Sequence, residues 1–595
     1  MPNNSPPDFG FIPSIYQQKI FDFVQHGTGN AVVRARAGSA KTTTMVAAMK
    51  LIPRTERCLF IAFNKSIVEE LSKKLEGYTN CTVKTVHSLG FSVVAANLEH
   101  TPKVDEYKYR NHLKNNICEL SEIDCDSFKR EDIESYIANV TELVSFSRSY
   151  LCQTEREIKE IAKRYDISCI ADECKVTEKL LKWGKEHTET IDYGDMVWLP
   201  YELSMKPIGN QYDWIFNDEF QDYSKAYVDL FLRCFKRGTR FVAAMDDKQM
   251  INLFAGASGD AAQYAMNYPN THMFELPISY RCDRKIVQLA KQFASDIIPR
   301  EDAGIGEIVY DCHTSEFKDG DMVLSRSKAP LFKLYVKLLK KGINCHIKGK
   351  DIGENLKELI NSVEYTEEFA KDLQHDGLFP RLYNKMFAER DRQMAERNLD
   401  LYDAALTLPV LGLYDSINAL NTLASVTNNT TDLLNMIDTI FSDDSQGICL
   451  STIHKAKGLE ADNVYIICHS TMPPKRVKRE WEMIQEENLI YVAYTRARHR
   501  LGFVDEHEVP PAGSNMTDDA IVNDISFIEK RVCKIYGREP VKDNASPELA
   551  RFRLKTTGTK VEISKPVIKC VERKKATGRG ASMNELLDKL KNKQK

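Results

Sequence analysis

The sequence predicts an α/β fold built on two parallel sheets, each strand series interrupted by a mainly helical insertion. Three observations predict it. Apolar runs of strand length alternate with helix-patterned runs near the N-terminus and return between about 190 and 285. A second alternating series begins near residue 305 and resumes after 440. The first strand also runs into ARAGSAKTTT (residues 35–44), close to the phosphate-binding pattern G-x-x-x-x-G-K-[ST]. At 595 residues the chain is too long for one core, so three to five domains are expected.

Taken in order, AVVRAR (31–36) is a short buried strand, and TTTMVAAMKLI after the loop is a helix. Strand, loop and helix in that order lift the motif above chance. CLFIAF (58–63), CTVKTV (81–86), WIFNDEF (214–220), RFVAAMD (240–246) and MFELPIS (273–279) supply further strands. Intervening helical patterns make a doubly wound parallel sheet the natural arrangement. Residues 96–189 are charged, helical in pattern and poor in glycine, as in an inserted domain. DMVLSRS (321–327), a helix LFKLYVKLLKKG and INCHIKG (343–349) open the second series. A helical insertion covers 351–440, and GICLSTIH (447–454), NVYIICH (463–469) and RLGFVD (500–505) return to strands. Residues 511–595 form an extension. Its last 31 positions hold ten Lys/Arg against three Asp/Glu and predict a flexible basic arm ending in a short helix.

Hydrophobic residues at 43% and charged residues at 28% describe an ordinary globular protein. A net charge of −3 argues against attraction of nucleic acid by the whole molecule, though not by a local basic groove. The N-terminus has no apolar signal-peptide core, and no apolar run reaches the roughly 18 residues a membrane span needs. The fifteen cysteines form no C-x-x-C pair. Five of them (Cys118, Cys125, Cys152, Cys169, Cys174) share one stretch but lack iron–sulfur spacing, so reduced and mostly buried thiols are the better reading.

A triphosphate site needs a magnesium carboxylate, a group to orient water, a γ-phosphate sensor and cations for transition-state charge. Ala37, Gly38, Ser39, Ala40, Lys41, Thr42 and Thr43 would cradle the phosphates. In WIFNDEFQD a strand ends in adjacent acids. Asp218 would hold Mg2+ with the Thr42 hydroxyl, and Glu219 would polarise water. Gln249, three residues after the strand-ending Asp246, is placed to sense the γ-phosphate. Arg281 in LPISYRCD and Arg496 in YVAYTRAR, from different sheets, would let ATP close a cleft.

The ordered set AGSAKTT, AFNK, TVHSLG, DEFQD, MDDKQMINLFAGA, SYR, STIHKAKGLE and YVAYTRAR resembles the motor core of superfamily 1 DNA helicases of the UvrD/Rep type, over roughly residues 12–505. The resemblance implies two RecA-like P-loop motor domains, each with a helical accessory insertion. The first would comprise 1–95 and 190–285, and the second 286–350 and 441–510. It implies that Gln17 reads adenine, with Gln18 a near competitor, that Tyr280 stacks on the base and that Glu460 reaches the sugar. It makes Phe63, Asn64, His87, Phe254, Thr452 and His454 contacts to single-stranded DNA. Aromatic stacking tolerates any base sequence at about 1–3 kcal/mol per base. Burial in the core is the plainer reading of Phe63 and Phe254; function is favoured for Phe254 and evenly balanced for Phe63. The family usually has glycine at position 40, a Tyr near Asn252 and Arg at Ala255, and its second insertion is longer.

The implied activity is an ATP- and Mg2+-dependent DNA helicase moving 3′→5′ on single strands and unwinding duplex DNA. The basic tail would be a DNA-binding or docking arm. The expected setting is the cytoplasm of a bacterium or a phage-infected host. The competing reading is a nucleotide-loaded, weakly hydrolysing clamp, which Ala40 would favour; a small-molecule kinase lacks an acceptor site. A right-handed backbone at Ala40 is expected, at which the methyl costs little and glycine would bring no gain.

Overall fold

A computed structural model of the protein describes residues 9–541 except 63–64, 123–129, 166, 168, 170, 252–259, 364–376, 398, 442–446, 475–476, 478–479 and 538. Phe63, Asn64, Phe254, Cys125 and the basic tail therefore lie outside the described residues. The chain divides into two compact units. Among the described residues, one takes in 9–85, 213–222 and 240–541, and the other 86–212 and 223–239.

The first unit carries two six-stranded sheets. The first contains β1 (Asn30–Ala35), β2 (Cys58–Ala62), β3 (Cys81–Thr85), β4 (Tyr212–Asn217), β5 (Phe235–Met245) and β6 (Thr271–Leu276), in the order β3-β2-β4-β5-β1-β6. Strand β1 runs parallel to both neighbours, with Ala31 opposite Val242 and His272. Strand β2 runs parallel to β3 and β4, with Cys58 opposite Cys81 and Trp214. Every residue of β2 is buried, which its unbroken apolar run demands when both faces are covered. Because the strands are parallel, the carboxyl ends of β1, β4, β5 and β6 open at one edge.

The second sheet contains β7 (Glu307–Cys312), β8 (Met322–Ser325), β9 (Cys345–Ile347), β10 (Ile448–Thr452), β11 (Ala461–Ile466) and β12 (Ala497–Val504), in the order β7-β12-β11-β8-β10-β9. All five neighbouring strand pairs are parallel. One core joins this sheet to the helices Leu378–Arg397, Leu408–Ala424, Thr430–Ile440 and Asp518–Ile535 through Leu382, Tyr414, Leu420, Ile437 and Ile525. A second core links Ala37 of the phosphate loop to Ile286, Ile453 and Tyr491.

The second unit is mainly helical, including Arg130–Tyr150, Glu155–Tyr165 and Glu173–Glu186. At its centre Asp195 accepts from Lys108 Nζ (2.8 Å), Tyr109 Oη (2.6 Å) and Arg148 Nη1 (2.8 Å). Asp192 takes a further bond from Arg148 at 2.5 Å. Buried charges persist when paired in this way. Residue 194 must be glycine here, because a Cβ would stand 2.6 Å from the Arg148 guanidinium.

Two differences from the sequence reading have plain causes. The run MFELPIS does not continue as one strand: β6 stops at Leu276 before Pro277, which cannot donate to the ladder. Ile278–Ser279 instead pairs with Ile298–Pro299. Strand β7 is not predicted by the sequence pattern, because it lies at a sheet edge and carries exposed Glu307, Tyr310 and Asp311 among its apolar residues. Among the described residues no helix is long and apolar enough to cross a membrane.

Candidate nucleotide site

Strand β1 ends at Ala35, and the helix Lys41–Lys50 begins five residues after Arg36 opens the loop. Within it Gly38 has φ +71°, and a Cβ there would meet Arg281 Cβ at 2.5 Å and Ser279 Oγ at 2.9 Å. Only glycine fits between the loop and the segment after β6. Ala40 has φ 55° and ψ 36°. This corrects the right-handed expectation: the residue is left-handed, at a cost of about 1–2 kcal/mol for a side chain with a Cβ. Its carbonyl accepts from Thr44 N–H at 2.9 Å, so the strained residue starts the helical ladder.

Behind the loop Lys41 Nζ lies 2.9 Å from Asp218 Oδ1 and 2.6 Å from Glu219 Oε1. Thr42 Oγ1 donates to Asp218 Oδ2 at 2.6 Å. Glu219 is also left-handed, φ 54°, a conformation that concentrates at functional sites. Burial works against its charge, but Lys41 and then Lys457 prevail and hold its pKa down to about 2. Burial works against the Lys41 ammonium too, and Asp218 and Glu219 raise its pKa nonetheless. Ser39 Oγ is buried and has no hydrogen-bond partner among the described residues. A hydroxyl in that state, beside Lys41 and the helix N-terminus, suits a phosphate oxygen. The Thr42 hydroxyl and Asp218 carboxylate are hard oxygen donors of the kind magnesium prefers.

At the end of β5, Gln249 Nε2 donates to Asp246 Oδ2 at 2.7 Å. Tyr280 is tied to the loop by its N–H, which donates to Gly38 C=O at 2.8 Å. Arg281 pairs with Glu460 and donates to Thr495 C=O at 3.2 Å. Glu460 also accepts from Arg498 Nη2 at 2.7 Å. Gln17 is buried; its Oε1 accepts from Ser14 N–H at 2.9 Å and its Nε2 donates to Thr44 Oγ1 at 2.8 Å. The amide nitrogen keeps a second hydrogen and the oxygen a second lone pair. Thr43 is exposed. Arg496 is buried and donates to the carbonyls of Val492 (2.9 Å) and Leu459 (3.1 Å) rather than to a carboxylate. Burial and the neighbouring Arg281 act against its charge.

Three groups were missed. Lys457 pairs with Asp222 and stands 3.8 Å from Glu219 Oε2, so a cation following the second sheet's β10 reaches the acids of the first. Tyr491 Oη accepts from Ala37 N–H at 3.0 Å. Arg36 bonds three aspartates. The signal for Lys457 was its place inside KAKGLE. For Arg36 it was a charged residue at the end of an apolar strand.

Of the expected DNA contacts, Thr452 is buried and its Oγ1 accepts from Lys455 N–H at 3.4 Å. Burial, then Arg326 and Lys455, push the His454 pKa down to about 3, leaving a neutral ring. In the second unit His87 Nε2 lies 3.1 Å from Tyr227 Oη, and burial lowers its pKa.

Residues 16–267 match the UvrD/REP helicase N-terminal domain, and residues 348–505 match the UvrD-like helicase C-terminal domain. The chain belongs to the UvrD/Rep helicase family. The two parallel sheets are its two RecA-like motor domains. It is similar to F-box DNA helicase protein 1 of Schizosaccharomyces pombe, 24% identical over 529 residues, covering 82% of this chain and 56% of that protein. It is also similar to F-box DNA helicase 1 of Gallus gallus, 23% identical over 510 residues, covering 80% of this chain and 48% of that protein. The chain thus spans about half the length of the curated relatives it matches. Both relatives are eukaryotic and lend no support to the bacterial or phage setting expected from the sequence.

Proposed function

We propose that this UvrD/Rep family member is an ATP-driven DNA helicase that moves 3′→5′ on single-stranded DNA and unwinds duplex DNA. The observation that carries the reading is the convergence of Lys41, Thr42, Asp218 and Glu219 at one sheet edge, with Lys457 reaching them from the second motor domain. ATP phosphates entering the loop would take the Lys41 ammonium from Asp218 and Glu219. Asp218 and Thr42 would then hold Mg2+, which when bound neutralises charge on the β- and γ-phosphate oxygens. Glu219, freed from Lys41, would orient and polarise the attacking water. Gln249 would report the γ-phosphate. Arg281 and Arg496 would answer transition-state charge once the cleft closes. Tyr280 would stack on the base, while Gln17 and Glu460 would bind adenine and sugar. His87, Thr452 and His454, with Phe63, Asn64 and Phe254, would follow the DNA strand. The polarity rests on DEFQD and on the aromatic-plus-GA ending of MDDKQMINLFAGA, both of the UvrD/Rep form.

The test is steady-state ATP turnover with and without single-stranded DNA, followed by unwinding of duplexes with 3′ or 5′ tails. DNA-stimulated turnover and unwinding from the 3′ tail are expected. Preference for the 5′ tail would overturn the polarity. Tight nucleotide binding with no DNA-stimulated turnover would favour the clamp.

A further inference from the structure

Arg36 is the only charged side chain of the loop before Lys41, and its partners are aspartates outside the loop. Its Nη1 donates to Asp246 Oδ1 at 3.1 Å and to Asp247 Oδ1 at 2.8 Å. Its Nε donates to Asp296 Oδ1 at 2.7 Å. The guanidinium is almost wholly buried, as is Asp246, whereas Asp247 and Asp296 are partly open to solvent. Three carboxylates from two segments therefore use the planar fork that arginine alone presents. Asp246 is a two-sided acceptor. One oxygen takes Arg36 and Lys248 N–H, and the other takes Gln249 Nε2 at 2.7 Å. Asp296 belongs to the stretch that follows the helix Arg284–Ala290 and leads toward the second sheet. Around it Ala294 and Ile297 are buried in the core that also holds Ala37 and Tyr491.

We propose that Arg36 is a positioning residue that locks Asp246, and through it the γ-phosphate-sensing Gln249, to the phosphate loop, and ties both to the connection between the motor domains at Asp296. The proposal rests on the ATP-dependent reading above and deepens it. When Gln249 turns toward a γ-phosphate, its amide leaves or reorients on Asp246, and Arg36 is the group that keeps that carboxylate in place. Asp296 receives the same guanidinium, so displacement at the sensor is felt at the inter-domain connection, alongside the bond that the Gln249 carbonyl accepts from Lys457 Nζ at 2.9 Å. Burial disfavours the charge on both Arg36 and Asp246; the aspartates around Arg36, and Arg36 beside Asp246, counter it.

A buried ion pair that only holds the fold would behave differently. Its loss would lower stability and scale every activity with the folded fraction. Positioning separates the constants. Arg36→Met should lower kcat by about 100-fold, the order for a catalytic group left misplaced, with the KM for ATP within about threefold, because Lys41 and the loop amides remain. Affinity for single-stranded DNA, which in wild type should differ between the states loaded with a non-hydrolysable ATP analogue and with ADP, should become the same in both. Arg36→Lys, a cation without the fork, should restore part of kcat. Asp296→Asn keeps Arg36 paired with Asp246, and covers the event that Arg36→Met does not fold. It should retain most of kcat and lose most of the nucleotide-dependent difference in DNA affinity.

Wild-type kcat and an intact nucleotide response in Arg36→Met would overturn the proposal. So would parallel loss of binding and turnover in proportion to unfolding, or an Asp296→Asn protein that responds to nucleotide like wild type. A wild type without DNA-stimulated turnover would instead overturn the ATPase reading, and the assignment of Arg36 with it.

Discussion

Replacing Ala40 by glycine removes one methyl from a left-handed residue, φ 55° and ψ 36°. A non-glycine residue in that region costs about 1–2 kcal/mol. Glycine returns about 0.5–1 kcal/mol of that through its greater freedom in the unfolded chain. The net expectation is a gain of roughly 0.5–1 kcal/mol, equivalent to a rise of about 1–4 °C in melting temperature for a domain of this class. Turnover should change much less. The left-handed turn at residue 40 starts the helical ladder and sets the direction of Lys41, so the strain is present before and after nucleotide binds and cancels from KM and kcat. Thermal and urea unfolding of wild type and Ala40→Gly, with DNA-stimulated turnover measured on the same preparations, would test this. Ala40→Val, β-branched at positive φ, should lose more than about 1 kcal/mol. A lower melting temperature for Ala40→Gly together with a neutral Ala40→Val would refute the reasoning, because neither is compatible with left-handed strain. Revival of an inactive wild type by glycine would show that the strain does act on catalysis, and would favour the clamp.

The remaining predictions concern the charges behind the loop. Lys41→Ala should abolish ATP turnover, as the phosphates lose their cation and Asp218 and Glu219 lose their shared partner; retained turnover in a steady-state assay would remove Lys41 from the mechanism. Glu219→Gln should bind ATP in filter or fluorescence titrations yet fail to hydrolyse it, and full turnover would reassign the water-activating group. Arg496→Ala should bind ATP with near-normal affinity but lose rate and unwinding; wild-type hydrolysis and unwinding would rule out the two-domain mechanism. The Glu219 pKa lies at about 2 against an ordinary 4.5, so its contribution to stability is complete above pH 4.5 and is lost as pH falls toward 2. In Lys41→Met the carboxyl should begin to protonate at higher pH, visible as an earlier acid transition, and coincident acid transitions would refute the assigned cause.

Much of the fold was legible because long apolar runs report burial on both faces, and parallel burial leaves few arrangements for alternating strands and helices. The acids of DEFQD were legible for the same reason: a strand that ends in carboxylates delivers them to the sheet edge where a phosphate loop opens. Lys457, Tyr491 and Arg36 were harder to place. Each acts on a partner far away in sequence, as Tyr491 does on Ala37 and Lys457 on Asp222. No local pattern encodes which buried donor meets which acceptor across two sheets.

The residue that raised the sharpest question divides the two sources of information. From the sequence alone came the loop's place between a strand and a helix, the lysine and threonine that follow it, and the acids it must face, since these depend on residue type and order. Only the tertiary structure decided that Ala40 is left-handed and that Arg36 turns to Asp246 and Asp296. Local preference averages over many backbone conformers of a short segment. Closing the chain between β1 and the helix, with Gly38 pressed against Arg281, leaves a single one.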